Sequence, residues 1–598
     1  MFSTKTKIVC SMGPATASDA VVEKLILAGM NIARFNFSHG DYTSHKEAMD
    51  RVKRVSEKLN RPVALMLDTK GPEIRTGQVA AGGTVTINAG DIVEVSVNGE
   101  PTEAAADGKP ARLSVTWRAL PERVSPGIRI LIADGLLELD VIRIENKTVV
   151  CSAHNTGTIG SRKNVNLIGI HAGLPIMSEQ DKKDLAFGAS QNVDFVAASF
   201  VSFASEIVEI RQYLESLGSR ARIIAKIENE EGVDNIREIA AAADGVMVAR
   251  GDLGVQLATE RIPIVQKCII AECRKAGKPV ITATQMLDSM IVNPRPTRAE
   301  LTDVANAIFD GTDAVMLSGE TANGAYPVEA VETMSRIALT VEDSQEYCQR
   351  MREFPSPYEE SGNIGFIMAR NAYTTARDVK AMVIITPTLS GNTARMLSTF
   401  RPEQAVIALT PDPQVRRQLQ LHWGVVPLLA GMAEDSAQMT QNAIKIALDA
   451  GVVHMFDRVI LVAGIPLFSP LMVNTVRVLI VGNVLARGSS GGFINPAVTR
   501  ANGHIVKANT LEEGWMFLKQ HGGEILVCKK ITSDLIPLLR IVDGIIAEED
   551  SELTAEVLQA VNQNLVWLTG VHGAFKTLES GLAVTIDGAQ FLVYEGTI

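Results

Sequence analysis

At 598 residues, with 46% hydrophobic and 21% charged side chains, the chain has length for about four domains and ample apolar material for a large core. Its net charge of −11 excludes a general role on nucleic acid or on an anionic membrane surface. The six cysteines (Cys10, Cys151, Cys268, Cys273, Cys348, Cys528) form no C-x-x-C pair. With no apolar leader in MFSTKTKIVCSMGP and no apolar run of about 18 residues, a reduced, cytoplasmic chain is expected.

In chain order, the first 70 residues hold three short apolar strands, KIVCSM, MNIARFNF and VALMLD, separated by ASDAVVEKLILAG and SHKEAMDRVKRVSEKL, whose apolar spacing is helical. Residues 76–165 then alternate apolar and polar side chains between Gly, Asp and Pro turns, which predicts an all-β insertion placed to act as a lid. After residue 190 the earlier pattern resumes with DFVAASF, RIIAKIE, GVMVA, PVITATQ and AVMLS. Three and five such units make eight, the number a (β/α)8 TIM barrel requires, so residues 1–75 and 166–345 are assigned to one barrel. Residues 346–488 repeat an α/β pattern through AMVIIT, AVIALT, VVPLL, RVILVAG and VRVLIVG. The stretch RGSSGG, 487–492, reads as a flexible linker, and residues 493–598, ending in a DG turn between alternating strands, as a compact β-rich domain.

Barrel enzymes work at the C-terminal ends of their strands, so the residues following each apolar run are the candidates. These are Ser11 and Pro14; Arg34, Asn36, Ser38 and His39; Asp68, Thr69, Lys70 and Arg75; Ser199; Lys226 and Glu228; Asp252; Thr284 and Gln285; Ser318 and Glu320. Lys226 and Glu228, two apart on a strand, share a face. By themselves they fit a structural ion pair equally well, but Asp252 adds a second hard oxygen donor, and two carboxylates make a magnesium site that leaves positions open for a phosphorylated substrate. Lys226 would then neutralise a phosphoryl group in transfer. Further on, Thr386, Ser390, Gly391, Asn392 and Thr393 read either as an ordinary capped helix start or as a phosphate-sized cradle.

Seven blocks, MNIARFNFSHG, LDTKGPEIRTG, IIAKIENEEGV, MVARGDLG, TATQMLDSMI, NPRPTRAE and DVANAIFDGTDAVMLSGETANGAYP, stand in the order found in pyruvate kinases, and residues 1–488 resemble that family. The resemblance implies transfer of the phosphoryl group of phosphoenolpyruvate to ADP, giving ATP and an enolate that is protonated to pyruvate, the last step of glycolysis. It implies Mg²⁺ or Mn²⁺ on Glu228 and Asp252, with Lys226 and Arg34 at the phosphoryl group. Gly251, Asp252 and Thr284 would stand at the substrate carboxylate, with Thr284 also placed for enolate protonation. Pro14, Asn36, His39, Arg75, Asp134 and Lys163 would face the nucleotide. Asn36, Ser38, Asp68 and Thr69 match potassium ligands, and Glu73 in GPEIR is the residue of the K⁺-requiring type. A homotetramer and a sugar-phosphate effector at the Thr386–Thr393 cradle are expected on the same ground.

Some residues depart from the family pattern. Ser202 stands where Arg is usual and Gln256 where an acid is usual, while bulky Phe468 and Leu471 occupy a loop normally rich in glycine. The last domain resembles the phosphohistidine swivelling domain of phosphoenolpyruvate synthases. Its segment Glu552-Leu553-Thr554-Ala555-Glu556 lacks the histidine of the relay, so a structural or assembly role is expected there, with His572 an ordinary surface residue. A pyruvate-handling aldolase would need neither the β insertion nor DTKGPEIR, and a ligand-binding scaffold would not need Arg34, Lys226, Glu228, Asp252 and Thr284 together.

Overall fold

Short runs of β-branched and aliphatic residues buried on both faces make strands that only a parallel sheet covered by helices can accommodate. Eight of them, Lys7–Ser11, Ile32–Asn36, Ala64–Asp68, Phe195–Ala198, Arg222–Ile227, Gly245–Ala249, Val280–Ala283 and Ala314–Leu317, close into a barrel in chain order, all pairs parallel. The computed structural model describes residues 4–80, 82–106, 108–170, 172–353, 363–465, 473–482, 484–521, 525–551 and 553–596. Connecting helices carry the local signals that start them. Ser178 and Asp181, and Thr297 and Glu300, form reciprocal capping boxes at Glu179–Ser190 and Arg298–Phe309. The barrel interior is filled by Val9, Ile32, Met66, Phe195, Ile224, Met247, Ile281 and Met316. It is therefore a packed core rather than a pore.

The insertion folds into an antiparallel two-stranded sheet and a six-stranded sheet, antiparallel except where Ile92–Ser96 pairs in parallel with Ala111–Ser114, around its own core, which includes Val93, Leu113, Ile130, Leu139 and Val149. The chain enters and leaves it side by side, through a bridge between Arg75 and Asn164. The next domain is a five-stranded sheet in the order Val425–Leu429, Ala405–Thr410, Val383–Pro387, Arg458–Ala463, Thr475–Ile480. Its turn Leu419–Leu421 delivers Leu421 into the barrel's interior cluster from the floor, the end opposite the strand C-termini. Ion pairs fasten the same floor, Arg417 to Asp194 at 3.0 Å and Arg220 to Asp412 at 2.6 Å.

Lys7 is also buried there, its Nζ donating to the Val425 carbonyl at 2.7 Å. Burial pulls this amine down to about 8, against an ordinary 10.5. Between those values the unfolded chain binds the proton more readily than the folded one, so stability rises with pH across that window. The parent should gain melting temperature relative to Lys7→Met as pH goes from 8 to 10; thermal melts with a pH-independent difference would show that the amine keeps its proton on folding.

Two compact units divide the chain, Met1–Ala447 with Ile460–Val478, and Leu448–Val459 with Leu479–Ile598. The second unit contains an eight-stranded sheet in the order Val484–Arg487, Leu592–Glu595, Ala583–Asp587, Arg500–Lys507, Ile525–Cys528, Gly544–Ala547, Val566–Thr569, Ser490–Phe493. The DG turn closes the antiparallel pair Ala583–Asp587 and Leu592–Glu595 as expected. Four central strands are parallel, which a reading of that hairpin alone did not anticipate. The RGSSGG stretch is not a linker. Arg487 ends a strand paired with Leu592–Glu595, and Ser490–Phe493 pairs with Val566–Thr569. Glycine is required there by packing rather than flexibility, since a Cβ at Gly492 would meet the Trp567 ring at 2.5 Å. All six cysteines are free thiols, and among the described residues no helix is long and apolar enough to cross a membrane.

Candidate active site

At the C-terminal end of the barrel, Lys226 points inward, and its Nζ lies 3.0 Å from Asp68 Oδ1, 2.6 Å from Ser199 Oγ and 2.9 Å from Glu228 Oε1. Asp68 is shared: its Oδ2 accepts from Arg34 Nε at 2.6 Å, and Arg34 also donates to Ser11 Oγ at 2.7 Å. One buried carboxylate thus fixes two cations, Arg34 from the adjacent strand and Lys226 from the strand beyond Phe195–Ala198. Burial pushes Asp68 up, but Arg34 and Lys226 outweigh it and hold the carboxyl below its ordinary value. Burial likewise works against the charge on Lys226, yet Asp68 and Glu228 prevail and the amine is held protonated.

Glu228 and Asp252 differ from Asp68. Asp252 lies in the first turn of the helix Arg250–Gln256, and both carboxylates border a cavity of about 390 Å³ shared with the lid base at Asn164 and Val165. Burial raises both above their ordinary values; Lys226 opposes the shift at each, and at Glu228 the charge of Asp252 adds to it. The pair therefore carries more negative charge than the protein neutralises, and two hard oxygen donors with an open side fit a divalent cation. Among the described residues no group of three or more His, Cys, Asp or Glu side chains is arranged to hold a metal.

The potassium candidates gather beside this cluster. Asn36 and Asp68 are register partners on adjacent strands, Ser38 donates its amide to Asn36 Oδ1 at 3.1 Å, and Thr69 Oγ1 accepts from the Ser199 amide at 3.2 Å. Of the nucleotide candidates, Arg75, Asp134 and Lys163 meet at the lid base. Arg75 pairs with Glu73 at 2.6 Å and donates to the Arg162 carbonyl, the Lys163 amide donates to Thr76 Oγ1, and Asn164 bonds the Asp134 carboxylate. Pro14 opens a turn after the first strand and His39 is exposed after the second. Among the described residues no hydrogen bond or ion pair joins these two to the lid group.

Thr284 is held in a left-handed conformation, φ +65°, with its hydroxyl donating to the Ala283 carbonyl at 2.7 Å and accepting the Gly251 amide at 2.8 Å. Three residues without an assigned role in the sequence reading support the site. Ser199 bonds Lys226, as above. Phe200, at φ +58°, aims its amide at Glu228 Oε2, 2.7 Å away, a strained backbone spent on orienting a carboxylate. Buried Arg250 donates to the Thr284 carbonyl at 2.6 Å and pairs with Asp303 at 2.7 Å, holding the Thr284 loop from behind. A left-handed φ at Phe200 or Thr284 has no signature in residue type. Glu320, by contrast, is structural, its carboxylate taken up by the amides of Leu287 and Ser318.

In the adjoining domain, Ser390, Asn392 and Thr393 line a cavity of about 330 Å³, and Gly391, φ +79°, caps the helix Asn392–Thr399. Thr386 is buried in the preceding strand and is not among the cavity walls, but its hydroxyl has no protein partner among the described residues. Phe468 and Leu471 lie outside the described residues.

Comparisons with known proteins bear on the barrel and on the α/β domain. Residues 3–331 match the family described as pyruvate kinase, barrel domain, and residues 367–479 the pyruvate kinase alpha/beta domain. The chain belongs to the pyruvate kinase family. Staphylococcus aureus strains USA300 and NCTC 8325 each have a pyruvate kinase 41% identical over 598 residues, 99% of both chains. A crystal structure of a pyruvate kinase from Cryptosporidium parvum, 39% identical, superposes with a TM-score of 0.74 over 80% of this chain and 96% of that one. Like the pyruvate kinases it resembles, the chain is a phosphotransferase. Residues 520–590 match the mobile domain of PEP-utilising enzymes. In that domain Glu552 lies outside the described residues, Thr554 precedes the short helix Ala555–Ala560, and His572 is exposed. Of the two departures near the site, Ser202 is absorbed structurally, its hydroxyl accepting from Asn229 at 3.0 Å, and Gln256 ends its helix on the wall of the Glu228 cavity.

Proposed function

We propose that the barrel mouth transfers the phosphoryl group of phosphoenolpyruvate to ADP, yielding ATP and pyruvate, through the residues assembled around Lys226. The observation that carries this reading is the buried amine held at hydrogen-bond distance by Asp68, Ser199 and Glu228, with Arg34 locked beside it by the same Asp68. Phosphoryl transfer asks a protein mainly for alignment and neutralisation of equatorial charge, which two fixed cations supply without a nucleophilic side chain. Glu228 and Asp252 would hold Mg²⁺ or Mn²⁺, which when bound supplies Lewis-acid charge at the phosphoryl oxygens. Gly251, Asp252 and Thr284 would receive the substrate carboxylate, and the Thr284 hydroxyl would assist proton delivery to the enolate. Pro14, Asn36, His39, Arg75, Asp134 and Lys163 would serve the nucleotide as the lid closes over it.

Asn36, Ser38, Asp68 and Thr69 would hold K⁺. Glu73, engaged by Arg75 and lying 3.5 Å from Lys70, adds a carboxylate near the nucleotide phosphates, so a monovalent cation there lowers repulsion. With Mg²⁺ held fixed, a coupled pyruvate assay should show turnover rising with K⁺ from a low basal rate; full turnover in a buffer free of monovalent cations would remove the K⁺ assignment. At the effector cavity, Ser390, Asn392 and Thr393 offer amides and hydroxyls to one phosphate. Among its described walls there is no Lys or Arg, and Leu389, Met432 and Met439 are apolar, which suits a monophosphate better than a bisphosphate. The assembly is read as a cytoplasmic homotetramer.

A further inference from the structure

At the barrel floor, facing away from the catalytic mouth, a second cavity of about 390 Å³ opens between the strand N-termini and the α/β domain. Arg222, Asp244, Lys278 and the Phe195 ring come from the barrel side, and Arg395, Phe366 and Met396 from the helices opposite. Its charge does not balance. Asp244 is the one carboxylate among the described walls, and it is already committed: Oδ1 to Arg222 at 3.0 Å, Oδ2 to Arg211 at 3.0 Å and to the Ile223 amide at 2.9 Å. Arg395 donates to the Ser390 carbonyl at 3.0 Å, and Lys278 to the carbonyls of Ala243 at 2.5 Å and Ala241 at 3.3 Å. Among the described residues neither has a carboxylate partner. His422, also on the wall, is kept neutral by burial and by the surrounding cations, chiefly Arg395 and Arg222. Burial, reinforced by the neighbouring charge of Arg222, pulls even the Arg395 guanidinium down to about 10.

Two partly buried cations that have, among the described walls, no carboxylate but the already committed Asp244, and that face one cavity, are costly unless an anion joins them. We propose that this floor cavity is a second anion site, taking a small organic dianion, a dicarboxylate or a phosphate monoester, between the Arg395 and Arg222 guanidiniums and the Lys278 amine. Both sources share the chemistry: an oxyanion that a guanidinium fork can grip, carried on a compact body that packs against Phe195, Phe366 and Met396. The site is separate from the effector cradle, although both lie on the helix Asn392–Thr399 and Asn392 lines both cavities.

Lys278 reports occupancy directly, because its amine can be acetylated and the modified peptide quantified by mass spectrometry. Full-length protein at pH 8 is labelled with increasing inorganic phosphate or succinate, ionic strength being held constant with sodium chloride. The expected result is protection of Lys278 that saturates with at least one dianion, and a roughly tenfold higher concentration for half protection in Arg395→Gln. Protection by phosphate alone selects the phosphate monoester, and by succinate alone the dicarboxylate. Equal labelling with both dianions and with chloride, or unchanged protection in Arg395→Gln, overturns the proposal. Should that variant not fold, crystals of the unmodified protein soaked in selenate decide: an anomalous peak between Arg395 and Lys278 supports the site, and its absence while a peak forms at the catalytic mouth overturns it.

Discussion

Lys226→Met is expected to lower kcat by about 10²- to 10³-fold, with a smaller change in KM and a folded barrel. Among the described residues the amine is bonded only to Asp68, Ser199 and Glu228. Asp68 keeps Arg34 after the substitution, so the cluster loses a charge without losing its anchor. A positive group whose worth is greatest when charge develops on a transferring phosphoryl acts on the transition state more than on bound substrate. Steady-state kinetics with circular dichroism as the folding control test this, and turnover equal to the parent's would exclude Lys226 from the chemistry.

Asp68→Asn should be the more damaging change overall. The carboxylate is 1% exposed and neutralises Arg34 and Lys226 together, so an amide in its place leaves Arg34 without its ion pair and Lys226 paired with Glu228 among the described residues. Breaking a buried pair by removing one partner costs about 3–5 kcal/mol. Activity should fall at least about 10²-fold as well, because both cations lose the group that aims them. The two variants are then distinguishable: a lowered denaturation midpoint with lost activity for Asp68→Asn, lost activity at a near-parental midpoint for Lys226→Met. A parental midpoint for Asp68→Asn would mean that another group neutralises the two cations.

Much of this architecture is legible in one dimension because its determinants are local. A strand buried on both faces is a continuous apolar run, a helix start is a capping residue, and the active end of a barrel follows from which residues end each run. Lys226 and Glu228 share a face for the same reason, since alternation along a strand is a property of the backbone. Arg34, Asp68 and Asp252 could be placed at the same mouth because parallel strands align their C-terminal ends. Where the reading failed, the decisive contact was distant in sequence. RGSSGG has the composition of a linker, yet it becomes sheet because Val566–Thr569 and Leu592–Glu595 offer free edges to pair with.

Other features depended wholly on the assembled chain. Nothing near residue 68 indicates that its carboxylate is divided between Arg34 and Lys226, nothing near Phe200 that its amide turns left-handed to hold Glu228, and nothing near Arg395 or Lys278 that they line one cavity whose carboxylate, Asp244, is committed to Arg222 and Arg211. Residue order was sufficient for the barrel, the β insertion and the chemical types gathered at the mouth, since periodicity and parallel closure act over a few residues at a time. Partnership among charges was settled by folding alone, because electrostatic neutralisation depends on distances of about 3 Å between groups more than a hundred positions apart, such as Asp68 and Lys226.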